Sequence, residues 1–216
     1  MKKSVWTDSI KLPEFPKADK EMKTEVLIIG GGICGILCAY MLEQKGIDYI
    51  LVEGSRIGYG ITKNTTAKIT SQHGLIYNKL IKSVGREKAQ MYLSANEKAL
   101  REYRLIAENI DCDFETKDAY VYSINDRKKI EDEVSAVNSL GFNAEFASET
   151  SLPFKTAGAV KFKNQAQFNP MKFLNEIVKG LNIYENTFIT DISENWTKFD
   201  GGKILADKII VATHFP

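Results

Sequence analysis

The stretch Glu25-Val-Leu-Ile-Ile-Gly-Gly-Gly-Ile-Cys-Gly35 decides the fold, because a β-branched apolar run passes without a spacer into glycines and then into a helix-forming segment. Residues 25–29 suit a strand buried on both faces of a parallel sheet. From Ile33 to Lys45 the apolar residues Ile36, Leu37, Tyr40 and Met41 recur at helical spacing, and Gly46 stands where a left-handed C-cap belongs. Asp48-Tyr-Ile-Leu-Val-Glu53 is a second apolar strand, which closes a βαβ unit of about 30 residues.

Inside that unit Gly30-Gly-Gly-Ile-Cys-Gly35 is a G-x-G-x-x-G, and Glu53 follows Gly35 by 18 residues, at the end of the second strand. Glycines alone would make only a tight turn. A strand before them, a helix after them and an acid at that distance make a dinucleotide-binding fingerprint. Gly30 allows the turn, Gly32 leaves room for a pyrophosphate to touch backbone, and Gly35 lets helix and strand approach. The N–H groups of Gly31, Gly32, Ile33 and Cys34 and the positive end of the helix face the phosphate charge. Glu53 can accept both hydroxyl hydrogens of an adenosine ribose, and its charge repels a 2′-phosphate. This pattern does not by itself separate FAD from NAD, so a nicotinamide-dependent reductase stands as the alternative.

Composition bounds the rest. Among 216 residues, 44% apolar and 26% charged describe a folded globular chain, not a disordered or fibrous one. Lysine plus arginine (29) nearly cancels aspartate plus glutamate (28), so no net field draws the chain to nucleic acid or an anionic membrane. Three cysteines without a C-x-x-C make no disulfide framework, and a reducing cytoplasm is the expected compartment. The uncharged run from Val26 to Leu42 holds four glycines and is shorter than the roughly 20 residues a membrane-spanning helix needs, so no integral membrane segment is expected. Acidic and basic residues alternate ahead of that run, which argues against a signal peptide.

Residues 1–23, with Pro13, Pro16, Trp6 and Phe15, read as an extended N-terminal leader strapped across a domain surface. Residues 54–74 lack any period and read as a long loop, 75–109 as a helix broken near Ser83 to Gly85, 119–123 as a strand, and 127–140 as an amphipathic helix stopped by Gly141. Short strands are expected over 144–168, a helix from Pro170 through Lys179, and a strand at 182–186. A β-meander over 188–205 turns at Asp200-Gly201-Gly202, and a final strand spans 208–213. The implied architecture is α/β: a discontinuous nucleotide-binding domain (24–110 and 168–216) interrupted by an α+β insertion at 111–167.

From Val26 to Gly60 the sequence also fits a longer fingerprint, with Ala39, Leu42 and Gly46 in the helix, then Glu53-Gly-Ser-Arg56 and Gly58-x-Gly60. It resembles the D-amino-acid oxidase and glycine oxidase superfamily of FAD-dependent oxidoreductases, which have a Rossmann-like FAD-binding domain and a substrate domain inserted into it. The resemblance implies that Gly54, Arg56 and the threonine-rich loop Thr62-Lys-Asn-Thr-Thr-Ala-Lys68 contact the cofactor, the loop wrapping the pyrophosphate and reaching the flavin ring. Its carried-over positions are Thr62, Asn64, Thr65, Thr66, Ala67 and Lys68. Lys68 would bring an ammonium to the flavin edge, although a solvent-facing lysine is the plainer reading.

Residues 185–189 resemble the strand whose main chain reads the adenine edge, at Ile189. Ile209 to Thr213 resembles the last sheet strand, where Ala212 and Thr213 lie near the dinucleotide and His214 replaces the usual glycine. Some relatives attach FAD through a histidine; Asn64 occupies that position here, so noncovalent FAD is expected and His73 is a loop residue. The resemblance further implies oxidation of a small-molecule amine or amino acid, with hydride passing to flavin N5 and the imine hydrolysed later. Family members continue well past residue 216, so the expectation is an N-terminal fragment lacking the rest of the substrate sheet and a closing C-terminal segment. A non-catalytic dinucleotide-binding fragment is the corresponding alternative. No residue stands out as a substrate base, and the catalytic residues and electron acceptor stay unassigned.

Other candidates have simpler explanations. Cys34 and Cys38 lie four apart but have no nearby histidine or third cysteine to complete a metal set, so core packing is expected and no metal; Cys112 reads as a buried thiol. Tyr120 and Tyr122 alternate onto one strand face, as sheet packing or a pocket wall requires. Arg127, Lys128 and Lys129 followed by Glu131, Asp132 and Glu133 read as a solvated helix face.

Overall fold

A computed structural model describes residues 4–214 and divides the chain into two compact units, Met1–Thr66 with Asn169–Pro216, and Ala67–Phe168. In the first, the leader forms a short helix, α1 (Val5–Ser9), before β1 (Met22–Ile29), α2 (Ile33–Glu43) and β2 (Tyr49–Val52). A 3-10 turn (Thr62–Asn64) ends this part of the unit. After the second unit come α6 (Pro170–Ile177), β7 (Ile183–Tyr184), β8 (Ile189–Ile192), β9 (Trp196–Phe199) and β10 (Gly202–Val211).

Their sheet runs β7-β2-β1-β10-β9-β8. The first four strands are parallel, with Leu27 of β1 beside Ile50 on one side and Ile209 on the other, and the last three form an antiparallel meander. All four β2 residues are buried, as are Val26 to Ile29 of β1, which is why both read as unbroken apolar runs. The meander's third strand and the expected final strand prove to be one. Residues 202–205 pair with β9 while β1 pairs along most of the other edge, so β10 passes from meander to parallel sheet without a break.

Helix α2 buries Gly35, Ile36 and Ala39, a small face that brings it close to the sheet, and leaves Met41 45% exposed. Gly46 follows with φ +64°, the left-handed stop expected of it. Pro170 occupies the first turn of α6, and Asn169 caps it by accepting from the N–H groups of Met171 and Lys172. The leader is part of this unit. Leu12 and Ala18 are buried, the N–H of Glu185 donates to the Pro16 carbonyl (2.9 Å), and that of Ala18 donates to Thr187 Oγ1 (3.1 Å).

The second unit contains β3 (Lys68–Ile69), α3 (Tyr77–Val84), α4 (Arg86–Ala107), β4 (Glu115–Ser123), α5 (Arg127–Ser139), β5 (Ala144–Ala147) and β6 (Gly158–Gln167). The strands β3, β4 and β5 all pair antiparallel with β6. Tyr77, Ala89, Leu93, Ile130 and Val137 pack with Val160 and Phe162 into one core. That core moves residues 67–110, which the sequence reading joined to the dinucleotide domain, into the unit of the insertion. Gly85, at φ +85°, breaks α3 from α4 at the expected place.

On α5 the pairs Arg127–Glu131 (2.7 Å) and Lys128–Asp132 (2.6 Å) are solvated as expected. Glu133 is not. It is 2% exposed and its carboxylate accepts from the N–H groups of Tyr77 and Asn78, capping α3 from a neighbouring helix. Among the described residues, no helix is long and apolar enough to cross a membrane.

Candidate functional site

β1 runs directly into the glycine turn. The Gly30 N–H donates to the Val52 carbonyl (2.8 Å), and the Ala212 N–H donates to the Ile29 carbonyl (2.8 Å), which lays the end of β10 against the turn. Gly30 has φ +114°, and a Cβ there would stand 3.0 Å from the backbone of Ala212. At Gly35 a Cβ would be driven into the Gly30 carbonyl oxygen, so the close approach of helix and strand requires glycine. Gly31 packs against Ile57 and Glu53, and its carbonyl accepts from Gly58 N–H (2.8 Å). Gly32 differs from all of these. The nearest atom to a Cβ there is Thr62 Oγ1 at 3.7 Å, so the N-terminus of α2 opens onto free space on that side.

Glu53 leaves the end of β2 and turns toward the glycines. Its Oε2 accepts from Gly31 N–H (2.7 Å) and its Oε1 from Ser55 N–H (2.8 Å). A carboxylate oxygen has two lone pairs, so each keeps one for a further donor. The buried Thr62 accepts from Ile33 N–H (3.1 Å), joining the threonine loop to the first turn of α2. The N–H groups of Gly31 and Ile33 are thus already engaged by side chains.

Other expected positions fall differently. Arg56 turns away from the turn: its Nη1 meets Glu185 Oε2 at 2.7 Å and its Nη2 donates to the carbonyls of Leu12 (3.3 Å) and Pro13 (3.1 Å). Glu185 is fully buried and also accepts from the N–H groups of Ile57 (2.8 Å) and Phe15 (3.2 Å). The guanidinium of Arg56, expected to contact the cofactor, is thus engaged in this clamp within the first unit. Ile189 is half-buried opposite Phe199, Asn64 is exposed with its amide on the Gly60 carbonyl, and Thr66 and Thr213 are exposed. Ala67, buried at φ +58°, and the exposed Lys68 belong to the second unit, where β3 pairs with β6. His73 of that unit bonds Asn96 Oδ1 (3.2 Å) as an ordinary loop residue.

Cys34 is exposed and Cys38 partly so, which corrects their assignment to the core: the buried stripe of α2 runs through Gly35, Ile36 and Ala39. Burial first, and the Cys34 thiol second, push the Cys38 thiol above its ordinary pKa. Cys112 is buried as expected, and the described residues include no group of three or more His, Cys, Asp or Glu placed to hold a metal.

Two features went unseen in the sequence. The N–H of Thr187 donates to the Glu53 carbonyl (2.9 Å) and that of Asn186 to the Ser55 carbonyl (3.0 Å), which lays Phe188 on Gly54 with 69% of its surface exposed. Glu185 reads in sequence as one more strand-end acid, and only the three-dimensional approach of Arg56 shows its burial. An open helix N-terminus, a carboxylate with spare lone pairs and an exposed ring beside it suit a dinucleotide.

Residues 25–215 match the family model of the FAD dependent oxidoreductases known as DAO. The chain belongs to this family.

It is 36% identical over 225 residues to a Bacillus subtilis protein named as a Rieske 2Fe-2S iron-sulfur protein, YhfW; the match covers 98% of this chain and 44% of that protein. The gamma-glutamylputrescine oxidoreductase of Escherichia coli is 27% identical over 121 residues, 55% of this chain and 28% of the relative. In fold it is similar to the L-proline dehydrogenase of P. horikoshii, with TM-score 0.70 and 18% identity over 89% of this chain and 53% of that one. Glycine oxidase from Bacillus cereus gives TM-score 0.62 at 18% identity, over 88% of this chain and 55% of that one. The chain spans about half the length, or less, of these relatives. Family membership favours FAD over the nicotinamide alternative.

Proposed function

We propose that the chain holds FAD noncovalently and serves an oxidoreductase that removes hydride from the carbon bearing the nitrogen of an amine or amino acid. The observation that carries this reading is the open face at Gly32, set between the first turn of α2 and the Glu53 carboxylate. Glu53 uses its two spare lone pairs for the ribose hydroxyls. Gly32 and Cys34 offer N–H groups to the pyrophosphate, where the positive end of α2 adds to the attraction. Phe188 supplies an exposed flat surface for the adenine beside the Ile189 main chain. Bound FAD supplies the hydride acceptor, which no amino-acid side chain can provide. Asn64, where a covalent attachment would need histidine, supports noncovalent binding.

The similarity to a gamma-glutamylputrescine oxidoreductase supports a substrate with an oxidisable C–N bond. The iron-sulfur name of the Bacillus subtilis relative favours a one-electron iron-sulfur carrier as the acceptor. Free cysteines fit a cytoplasmic location. To test the reading, the flavin-loaded protein is mixed anaerobically with a panel of primary and secondary amines and amino acids. Bleaching of the flavin absorption by members of that panel is expected, and bleaching by hydroxy acids alone would refute the amine assignment.

A further inference from the structure

We propose that the leader is a positioning element for the cofactor loop: Ser4 and Trp6 hold the threonine turn in the shape that receives FAD. This deepens the FAD reading above and rests on it.

In the turn at Thr62–Asn64 and its closing residue Thr65, the N–H groups of Lys63, Asn64 and Thr65 find local acceptors in the carbonyls of Gly58 (3.1 Å), Ile61 (2.9 Å) and Thr62 (3.4 Å). Its carbonyls are therefore the handles by which another segment can fix it. The leader takes two of them. Ser4 Oγ donates to the Lys63 carbonyl, and the Trp6 indole N–H donates to the Thr65 carbonyl at 2.8 Å. The donors are themselves fixed, because Ser4 also accepts from Trp6 N–H (3.3 Å) and its carbonyl accepts from Thr7 N–H (3.1 Å), closing the first turn of α1.

A few residues on, the same segment is anchored again. Arg56 bonds the carbonyls of Leu12 and Pro13, and Leu12 Cδ1 lies where a Cβ on Gly58 would meet it at 2.9 Å. The leader thus clasps residues 56–65 at both ends, while Thr62 of the same stretch bonds the first turn of α2. A loop held from behind loses little further freedom when a ligand arrives, and the affinity it confers rises accordingly.

The adenosine half of the cofactor would rest on Glu53, and only the remainder reaches the threonine turn. Titration of Trp6→Phe with FAD and, separately, with AMP distinguishes the two. The variant keeps an aromatic side chain, smaller than the indole, and loses the hydrogen bond to Thr65, so its Kd for FAD should rise about five- to tenfold while that for AMP stays within about twofold of wild type. Ser4→Ala should act in the same direction, and Ser4→Thr, which keeps the hydroxyl, should restore FAD binding. Unchanged FAD affinity in both Trp6→Phe and Ser4→Ala overturns the proposal. Equal weakening of FAD and AMP also overturns it, because the leader then only supports the fold. If Trp6→Phe does not fold, the Ser4→Ala and Ser4→Thr pair decides by the same comparison. Wild-type protein that binds AMP but no FAD would overturn the functional reading itself, and this inference with it.

Discussion

Gly35 and Gly32 constrain the turn from opposite sides. At Gly35 an added Cβ has nowhere to go, because it meets a backbone oxygen and not the movable end of a side chain. Gly35→Ala should therefore cost about 3 kcal/mol of stability, read as a lower urea midpoint at constant slope. Gly32 has extended backbone (φ −75°, ψ 176°) and open space, so Gly32→Val should keep the wild-type melting temperature and lose FAD. Retained FAD affinity in that variant would remove Gly32 from the site. Glu53→Ala should weaken FAD by about 1–3 kcal/mol through lost charge-assisted hydrogen bonds, and calorimetric titration with unchanged affinity would argue against the ribose role. The placement of these three residues around the turn was legible because the fingerprint fixes it by local spacing. The clamp at Arg56 went unseen for the complementary reason: its partner Glu185 is distant in sequence, and nothing local to Arg56 announces a buried carboxylate.

Removing one member of that pair strands the other. Glu185→Ala leaves the Arg56 guanidinium, the Ile57 N–H and the Phe15 N–H without their acceptor, and should lower stability by about 3 kcal/mol. A chemical denaturation curve matching wild type would show that the clamp contributes nothing.

At the scale of elements, β2 and α2 are tied through Tyr49, whose hydroxyl donates to Glu43 Oε2 (2.9 Å) and accepts from Asn182 N–H (3.2 Å). Burial, the largest influence, pushes its phenol up to about 12, with Glu43 adding to the rise. The folded state holds this proton more tightly than the unfolded chain, so the stabilisation is complete below about pH 10 and is lost as pH rises towards 12. Stability measured across that window should fall, and Tyr49→Phe should fall less; identical slopes would assign the loss to other groups. β1, α2 and β2 were readable because their periods are unmixed and glycines punctuate them. β10 was split in two because Lys203, Asp207 and Lys208 interrupt its apolar residues, and only its different partners on the two edges reveal one strand. In α2, period alone suggested a face through Met41, whereas close packing selected the smaller residues one step around the helix.

At the scale of the molecule, the α/β class and the interruption by an α+β segment followed from element order, but the boundary did not. Helices α3 and α4 are amphipathic and could have covered either sheet; contact of Tyr77, Ala89 and Leu93 with Val160 and Phe162 is what assigns them to the second unit. Burial of Glu133 was hidden in the same way, since its charge fits a solvated face until the end of α3 is brought to it. The central claim is that the first unit holds FAD, noncovalently, at the turn opened by Gly32. Its most direct test is the visible spectrum of the purified protein after incubation with FAD and gel filtration, followed by acid precipitation. A bound flavin spectrum, absent in Gly32→Val, with all the flavin released into the supernatant as intact FAD, is the predicted result. A colourless protein, or equal flavin retention by wild type and Gly32→Val, would contradict the account.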